Sequence, residues 1–328
     1  MEKTLVQSLA IDYDEAITIG GFVAIAVGMT KNARAANRDN NYNPTQWDYA
    51  NLFADPAYTL LLYPDFLKYY DITGNIQVKE NDKDNNNQEY WSYFGFIAQH
   101  KETKEYLMVI RGTQTGYEED QDKITKPTTI LEGGVPADGR VPTGFYTIFK
   151  NARVRTPSGV KDMPDISLID LAKDLKTHLP DLSKKRITVT GHSLGSAMAT
   201  YFATFACNAD PNLDLRLYTF ASPNTGDQKF VDLANRVIPD SVRIYNTADP
   251  VPDNPKHNEN GSNIYRQING GESIDPKKDP NIETDLSLLC EHQLPVYMYI
   301  LQKLKNNGQA NPDIIGAGHN EKCQVKKK

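Results

Sequence analysis

Gly191-His192-Ser193-Leu194-Gly195 is the segment whose residue types and spacing most directly imply chemistry. A glycine two residues to either side of a serine removes side-chain bulk where a strand and the helix after it must nearly touch. The hydroxyl is thereby lifted onto a sharp, exposed turn. A serine in that position attacks carbonyl carbon, and the N-terminus of the following helix favours the negative charge that develops. A bare GxSxG arises by composition alone in roughly one tenth of chains of this length. A serine that merely shapes a turn or caps a helix is the plain alternative, so the flanks decide. Arg186 to Thr190 (RITVT) reads as a short buried strand, and Ser196 to Cys207 as a helix rich in small residues. Ser193 is accordingly the candidate nucleophile.

A serine needs a base, and the base needs an acceptor to orient it. NTADPVP follows a predicted strand ending at Tyr245 and places Asp249 in a loop stiffened by Pro250 and Pro252. Asp253 is the nearest competitor, Asp240 lies before the strand, and a turn-forming role is the structural alternative for Asp249 itself. For the base, His292 stands at the start of a patterned helix, EHQLPVYMYILQKL, with Pro295 suited to its first turn. His257 and His319 lie in polar loops, and His192 is expected to face away from the serine. An isolated His292 would ordinarily be a surface or capping residue; the order Ser, Asp, His along the chain, that of an α/β hydrolase, favours the catalytic reading. Donors for the oxyanion are expected from the Leu194 backbone N–H and from Thr113, which follows the strand YLMVI; Arg111 reads as a partner in a loop salt bridge.

These groups must be carried by a scaffold. Residues 1–89 read as a mainly helical preface, with helical spacing at Thr45 to Ala54 and Ala57 to Tyr70 and a polar loop at Asn81 to Asn87. Tyr90 to Gln99 and Glu105 to Ile110 read as adjacent antiparallel strands joined by a short turn. Gly116 to Val141 reads as a long charged loop, either a cover over the site or an ordinary connection. Helical spacing at Thr143 to Ala152 and Ile166 to Leu179 then leads into the strand, turn and helix around Ser193. Strands at Leu215 to Phe220 and Val242 to Tyr245 follow, with helical Asp227 to Val237 between them, a shorter strand at Asn263 to Ile268 and a last helix at Cys290 to Leu304. The expectation is one α/β-hydrolase domain over 1–328, with a catalytic core at 90–304, a peripheral tail at 305–328 and a mostly parallel central sheet.

Composition narrows the partners. Against 36 Lys+Arg stand 42 Asp+Glu, a formal charge of -6, so no global field draws the chain to nucleic acid. Three cysteines exclude a disulfide-dense scaffold and leave room for one bridge. The apolar run from Ala16 to Met29 is short for a membrane span and reads as a buried helix with Gly20 and Gly21 at a close packing point. A cytoplasmic address is the default, and a secreted one applies if the chain is a mature form. Scattered histidines and cysteines offer no metal cluster, and no glycine-rich nucleotide loop occurs, so no cofactor is expected.

The chain resembles the fungal-type triacylglycerol lipases, the class 3 lipases. YLMVIRGTQT, VPTGFYTIF, RITVTGHSLGSAMATYFA with LYTFASPNTGDQKF, and VRIYNTADPVP followed by CEHQLPVYMY carry the likeness across about residues 90 to 300. The resemblance implies an oxyanion donor at Thr113, the nucleophile at Ser193, the aspartate at Asp249 and the base at His292. It departs at Thr143, where many relatives have histidine, at Ser196 in place of a second glycine, and at Asn224 in FASPNTGD. The structural disulfides of secreted relatives are not expected here.

Acyl-ester hydrolysis through a covalent acyl-enzyme is the function implied, with a triacylglycerol or other lipid ester as substrate and transient contact with a lipid interface. Phospholipase A1 and soluble carboxylesterase are the enzymatic alternatives; a catalytically silent fold that binds lipid or protein is the other class. Phe145 to Phe149 and LPVYMY are the candidate acyl-pocket linings, though core packing explains them equally. Oligomeric state is left open.

Overall fold

A computed structural model describes residues 11–36, 40–82, 88–130, 139–157, 165–179, 182, 185–275, 279, 282, 290–318, 320 and 323. Nine strands of the described residues join in one sheet: β1 (Tyr70–Asp82), β2 (Gln88–His100), β3 (Tyr106–Ile110), β4 (Ala152–Arg155), β5 (Ile166–Ser167), β6 (Ile187–His192), β7 (Leu215–Phe220), β8 (Asp240–Asn246) and β9 (Gly271–Ile274). Their order is β9-β8-β7-β6-β3-β2-β1-β4-β5. From β9 to β3 every pairing is parallel, and from β3 to β5 every pairing is antiparallel. The sheet is therefore mixed rather than mostly parallel.

Connection length explains the change. The β2–β3 turn is too short for a crossover and closes with a 2.8 Å bond from the His100 N–H to the Glu105 carbonyl. From β3 to β8 the parallel strands are joined through helices, and β8 reaches β9 through a long connection with one 3-10 turn and short strands. In β3 the run YLMVI is buried throughout because both faces are covered: Tyr106, Met108 and Ile110 enter one core, and Leu107 and Val109 the other. The first core receives the helices Thr143–Lys150, Leu168–Lys173, Leu194–Ala209 and Gln228–Val237. The second receives Tyr13–Ala35, Gln46–Ala54 and Leu294–Lys305.

The 1–89 preface needs its largest correction at β1, which is a strand of 13 residues. Its apolar alternation is masked by Asn75, Gln77 and Glu80, all fully buried. Tyr49 donates to the Asn75 side chain, which itself donates to the Pro44 carbonyl, while Gln77 donates to the Tyr42 carbonyl at 2.6 Å. These bonds offset the cost of burying amides, so polar residues stand where a sequence pattern expects apolar ones. Most of the expected polar loop, residues 83–87, lies outside the described residues, as do residues 1–10.

Tyr13–Ala35 is, among the described residues, the one helix long and apolar enough to cross a membrane, and most of it is buried inside the protein. A Cβ on Gly21 would stand 2.9 Å from the Tyr63 backbone nitrogen and 3.2 Å from the Leu61 carbonyl oxygen, which accounts for a glycine there. The Ile166 to Leu179 segment is not one helix. Ser167 caps Leu168–Lys173, and Asp174, at φ -146°, separates it from Leu175–His178. Edge strand β9 lies beyond the expected Asn263 to Ile268 segment, whose Tyr265–Arg266 pairs instead with Gly226–Asp227. In the tail, Ile314 and Ile315 are buried and Gly318 donates to the Ala57 carbonyl at 2.7 Å, so this part packs rather than lying at the periphery. A five-residue turn is too short to announce that burial by periodicity. Cys290 and Cys323 form a disulfide, the one bridge that three cysteines leave room for, and Cys207 is free and buried.

Candidate active site

Ser193 sits between β6 and the helix Leu194–Ala209 with φ 56° and ψ -128°, in the left-handed half of backbone space. Such a conformation costs of order 1–3 kcal/mol and persists where the surroundings impose it. They do so here. A Cβ on Gly191 would stand 2.4 Å from the Gly195 carbonyl oxygen, and one on Gly195 would stand 2.4 Å from the carbonyl oxygens of Ile110 and Arg111. Ser196 has its own reason at the usual glycine position: its buried hydroxyl lies 2.7 Å from the Gly191 carbonyl and 2.8 Å from that of Phe220, where it donates.

The structure brings Ser193, His292 and Asp249 together from three separate segments. His292 Nε2 lies 2.8 Å from Ser193 Oγ, and His292 Nδ1 lies 2.8 Å from Asp249 Oδ2. Asp249 follows β8 in a turn closed by its own N–H to the Asn246 carbonyl, while its Oδ1 accepts the Val251 N–H at 2.9 Å. Burial works to raise its pKa, but the bonds from His292, Val251 and Tyr297 outweigh burial and hold the carboxyl below its ordinary range. The competitors lie elsewhere. Asp253 is exposed, Asp240 faces Arg216 at 3.4 Å, and His257 lies 3.9 Å from Glu259; His319 is outside the described residues.

His292 precedes the helix Leu294–Lys305 by two residues, so its loop is fixed from outside the helix. Two residues that do this, and a third, in the helix, that holds Asp249, escaped the sequence reading. His192 Nε2 donates to the His292 carbonyl at 2.8 Å, Asn246 Nδ2 donates to the Glu291 carbonyl at 2.8 Å, and Tyr297 Oη donates to Asp249 Oδ2 at 2.7 Å. His192 does face away from the serine, and its ring packs against that of His292 with centroids 4.8 Å apart. Burial first, then the neighbouring His292, pushes its pKa down to about 3.

That shift has a measurable consequence. Below a pH of about 6.5 the unfolded chain protonates His192 while the folded chain keeps it neutral. The stability it contributes is present above that pH and is lost as pH falls towards 3. His192→Gln, whose amide can still donate to the His292 carbonyl, is expected to lose less Tm than the natural protein between pH 7 and pH 4.5. Thermal unfolding followed across that range checks it; equal losses would refute the assignment.

The strand YLMVI delivers the other half of the site. A Cβ on Gly112 would approach Ser193 Cβ to 3.0 Å, so the backbone before Thr113 lies against the nucleophile turn. Thr113 Oγ1 donates to Asp122 Oδ2 at 2.6 Å, which leaves the Thr113 N–H as the donor for an oxyanion. Burial raises Asp122 to about 6, against the lowering effect of that same bond. Leu194 opens its helix, so its N–H has no partner within the helix. Arg111 is fully buried and bidentate to Glu118 at 2.8 and 2.9 Å, a loop ion pair as its position suggested.

Ser193, His292, Thr113 and Leu194 all line one cavity of about 650 Å³. Its apolar wall includes Val27, Phe145, Pro223 and Val251, and Lys123 and Lys256 stand on it as cations. Phe145 is the part of Phe145 to Phe149 that lines it. Tyr146 and Phe149 go into one core and LPVYMY into the other, so packing rather than acyl contact accounts for them. Within the expected cover, the helix Gly116–Asp122 is tied down through Glu118 and Asp122, and residues 131–138 are outside the described residues. Among the described residues no group of three or more His, Cys, Asp or Glu is placed to hold a metal ion.

This geometry can be set beside known proteins. The chain aligns with the structure of M37 lipase at a TM-score of 0.64 and 16% identity, covering 94% of this chain and 97% of that one. Residues 107–259 match the family described as Lipase (class 3). The fold is the α/β-hydrolase fold of these lipases. The native Rhizomucor miehei lipase propeptide complex agrees at a TM-score of 0.51 and 15% identity, over 81% of this chain and 69% of that one. In sequence, the chain is 26% identical to "Phospholipase A1-IIgamma" of Arabidopsis thaliana over 170 residues, 49% of this chain and 39% of the plant protein. It is 26% identical to "Phospholipase A1-II 1" of Oryza sativa subsp. indica over 224 residues, 63% of this chain and 54% of that protein. The matches thus span about half the length of these relatives or less. At the level of the family they support an enzyme of the serine-hydrolase, lipase type.

Proposed function

We propose that the protein hydrolyses carboxylic esters of lipids, triacylglycerol first among them, through an acyl-enzyme on Ser193. The observation that carries this reading is the pair of 2.8 Å contacts linking Ser193 Oγ to His292 and His292 to Asp249 at the wall of the cavity. With an ester carbonyl above Ser193, Oγ attacks the carbonyl carbon while His292 Nε2 takes the hydroxyl proton. Asp249 keeps the ring in the tautomer with Nδ1–H and stabilises the imidazolium. The N–H groups of Thr113 and Leu194 meet the tetrahedral oxygen. His292 then returns the proton to the leaving alcohol, and water deprotonated by the same ring releases the acid and restores the serine.

A phospholipid is the second reading, favoured by Lys123 and Lys256 on the cavity wall, where a phosphate would find cations. Hydrolysis rates on emulsified triacylglycerol, phospholipid vesicles and a soluble short-chain ester separate the choices. The expected result is faster turnover of a long-chain lipid ester than of the soluble ester, with a rise when substrate passes its solubility limit. Faster turnover of phospholipid than of triacylglycerol would establish the second reading, and equal rates above and below that limit would make the protein a soluble esterase. A fluorophosphonate probe that leaves Ser193 unlabelled, with no ester turned over, would reveal a silent fold.

A further inference from the structure

Behind the oxyanion loop lies a buried polar cluster that the reaction just described does not use. Arg111 stacks on Phe94 at 4.1 Å, and its guanidinium is fully engaged. Nε donates to Thr30 Oγ1 and the Tyr93 carbonyl, Nη1 to the Gly112 carbonyl and Glu118, and Nη2 to Ser92 Oγ and Glu118. Those bonds occupy its five N–H groups. Glu118 in turn holds the loop from its other end: Oε2 accepts the backbone N–H groups of Gln114 at 2.5 Å and Thr115 at 3.3 Å. Residues 112–115, with Thr113 among them, are thus strung between one buried cation and one buried carboxylate.

A second carboxyl group stands in the same place. Glu80 reaches in from β1, fully buried, and its Oε2 accepts the hydroxyls of Tyr90 at 2.7 Å and Thr115 at 2.9 Å. Its Oε1 is buried with no donor to meet it, and Thr115, whose hydroxyl Glu80 accepts, is also the residue whose N–H Glu118 accepts, so the two carboxyl groups converge on one buried residue. Two carboxyl groups brought this close in the core repel unless one of them keeps its proton. One guanidinium, already spent on Glu118, neutralises one carboxylate and leaves the other to be neutralised by protonation.

We propose that Glu80 is a positioning residue for the oxyanion loop, donating its carboxyl proton to Glu118 and so fixing the loop end at Thr115 that sets where the Thr113 N–H points. The inference rests on the acyl-transfer reading of Ser193. It explains the orphan oxygen, the convergence of two acids on Thr115 and the presence of a carboxyl group at a core position of a strand. Burial, with Glu118 adding to it, raises Glu80 to about 8, while Glu118 is held low by Arg111 and its loop bonds against the effect of burial. Among the described residues, Glu118, Arg111 and Tyr90 act on Glu80, and Tyr93 of β2 and Arg34 of the N-terminal helix stand near its partners Tyr90 and Thr115. Arg34 lines a small cavity with Tyr42, Tyr90 and Thr115. When Glu80 ionises, two carboxylates share one cation, and the repulsion between Glu80 and Glu118 pulls on Thr115, which both of them hold.

Glu80→Ala, Glu80→Gln and the natural protein test this together. Glu80→Ala is expected to lower kcat about 10- to 100-fold at pH 7 with KM little changed, as for a displaced oxyanion donor. Glu80→Gln supplies an N–H to Glu118 and an acceptor to Tyr90 and Thr115, and is expected to recover most of that loss. In the natural protein kcat should fall as pH rises through about 8, and in Glu80→Gln that fall should be absent. A Glu80→Ala variant that loses Tm but keeps its kcat, or a Glu80→Gln variant with the natural alkaline fall, overturns the proposal. If Glu80→Ala does not fold, the Glu80→Gln pH profile decides. If no ester is turned over, the reading of Ser193 has failed separately. Amide NMR signals of residues 113–115 then decide for Glu80: a titration near pH 8 that Glu80→Gln abolishes supports its place in the loop, and a flat response refutes it.

Discussion

Ser193→Ala is expected to lower kcat on any ester substrate by on the order of 10⁴- to 10⁶-fold while the protein folds as before. Both halves follow from the turn. The serine hydroxyl makes its bond to His292 and faces the cavity, so its removal deletes the attacking atom without opening a void in the core. The strained φ of 56° is imposed by the backbone packing of Gly191 and Gly195, which alanine leaves in place. Alanine at positive φ carries a modest cost, so Tm should change little. The Thr113 and Leu194 donors remain in the variant and should leave residual hydrolysis above that of water. Intact-mass analysis after substrate mixing checks the assignment. An acyl adduct on Ser193→Ala, or turnover within tenfold of the natural protein, would move the nucleophile elsewhere.

The sharp turn at Ser193 was legible because its constraint is local: two glycines, a β-branched strand and a small-residue helix lie within about 20 consecutive residues. The supports of His292 are not local. His192 is 100 residues away from the carbonyl it holds, and Tyr297 is 48 away from Asp249. Tyr297 sits in LPVYMY, where an aromatic pattern reads as core or acyl lining, and it is indeed core apart from its hydroxyl. The family match ends at residue 259, before His292, so contact geometry is what joins that histidine to Ser193. Strand β1 stayed hidden for a different reason. Its inward positions are occupied by Asn75, Gln77 and Glu80, whose partners lie in the 42–49 segment and on the oxyanion loop, and burial of polar groups is visible once those partners are known. The mixed sheet follows from the same omission, since β1 adds antiparallel pairings that the sequence reading did not include.

Asp249→Asn should reduce kcat by roughly 10⁴-fold with little effect on KM, by analogy with a buried serine-protease aspartate. The reason can be read from the hydrogens. Oδ2 accepts from both His292 Nδ1–H and the Tyr297 hydroxyl, and Oδ1 accepts the Val251 N–H. Both oxygens are thus acceptor positions, and an amide has one acceptor. If the asparagine NH₂ takes the Oδ2 side it confronts His292, which must then present a bare Nδ1 and carry its proton on Nε2, facing the serine it should deprotonate. If the NH₂ takes the Oδ1 side it opposes the Val251 N–H and loosens the turn that aims the residue. The charge that stabilises the imidazolium is lost in either orientation. Asp253→Asn, at an exposed position, and Asp240→Asn, in a surface ion pair with Arg216, should change rate and stability slightly. Folded Asp249→Asn with near-natural kcat, alongside Asp253→Asn that has lost it, would transfer the orienting role to Asp253 and require the loop after β8 to rearrange when substrate binds.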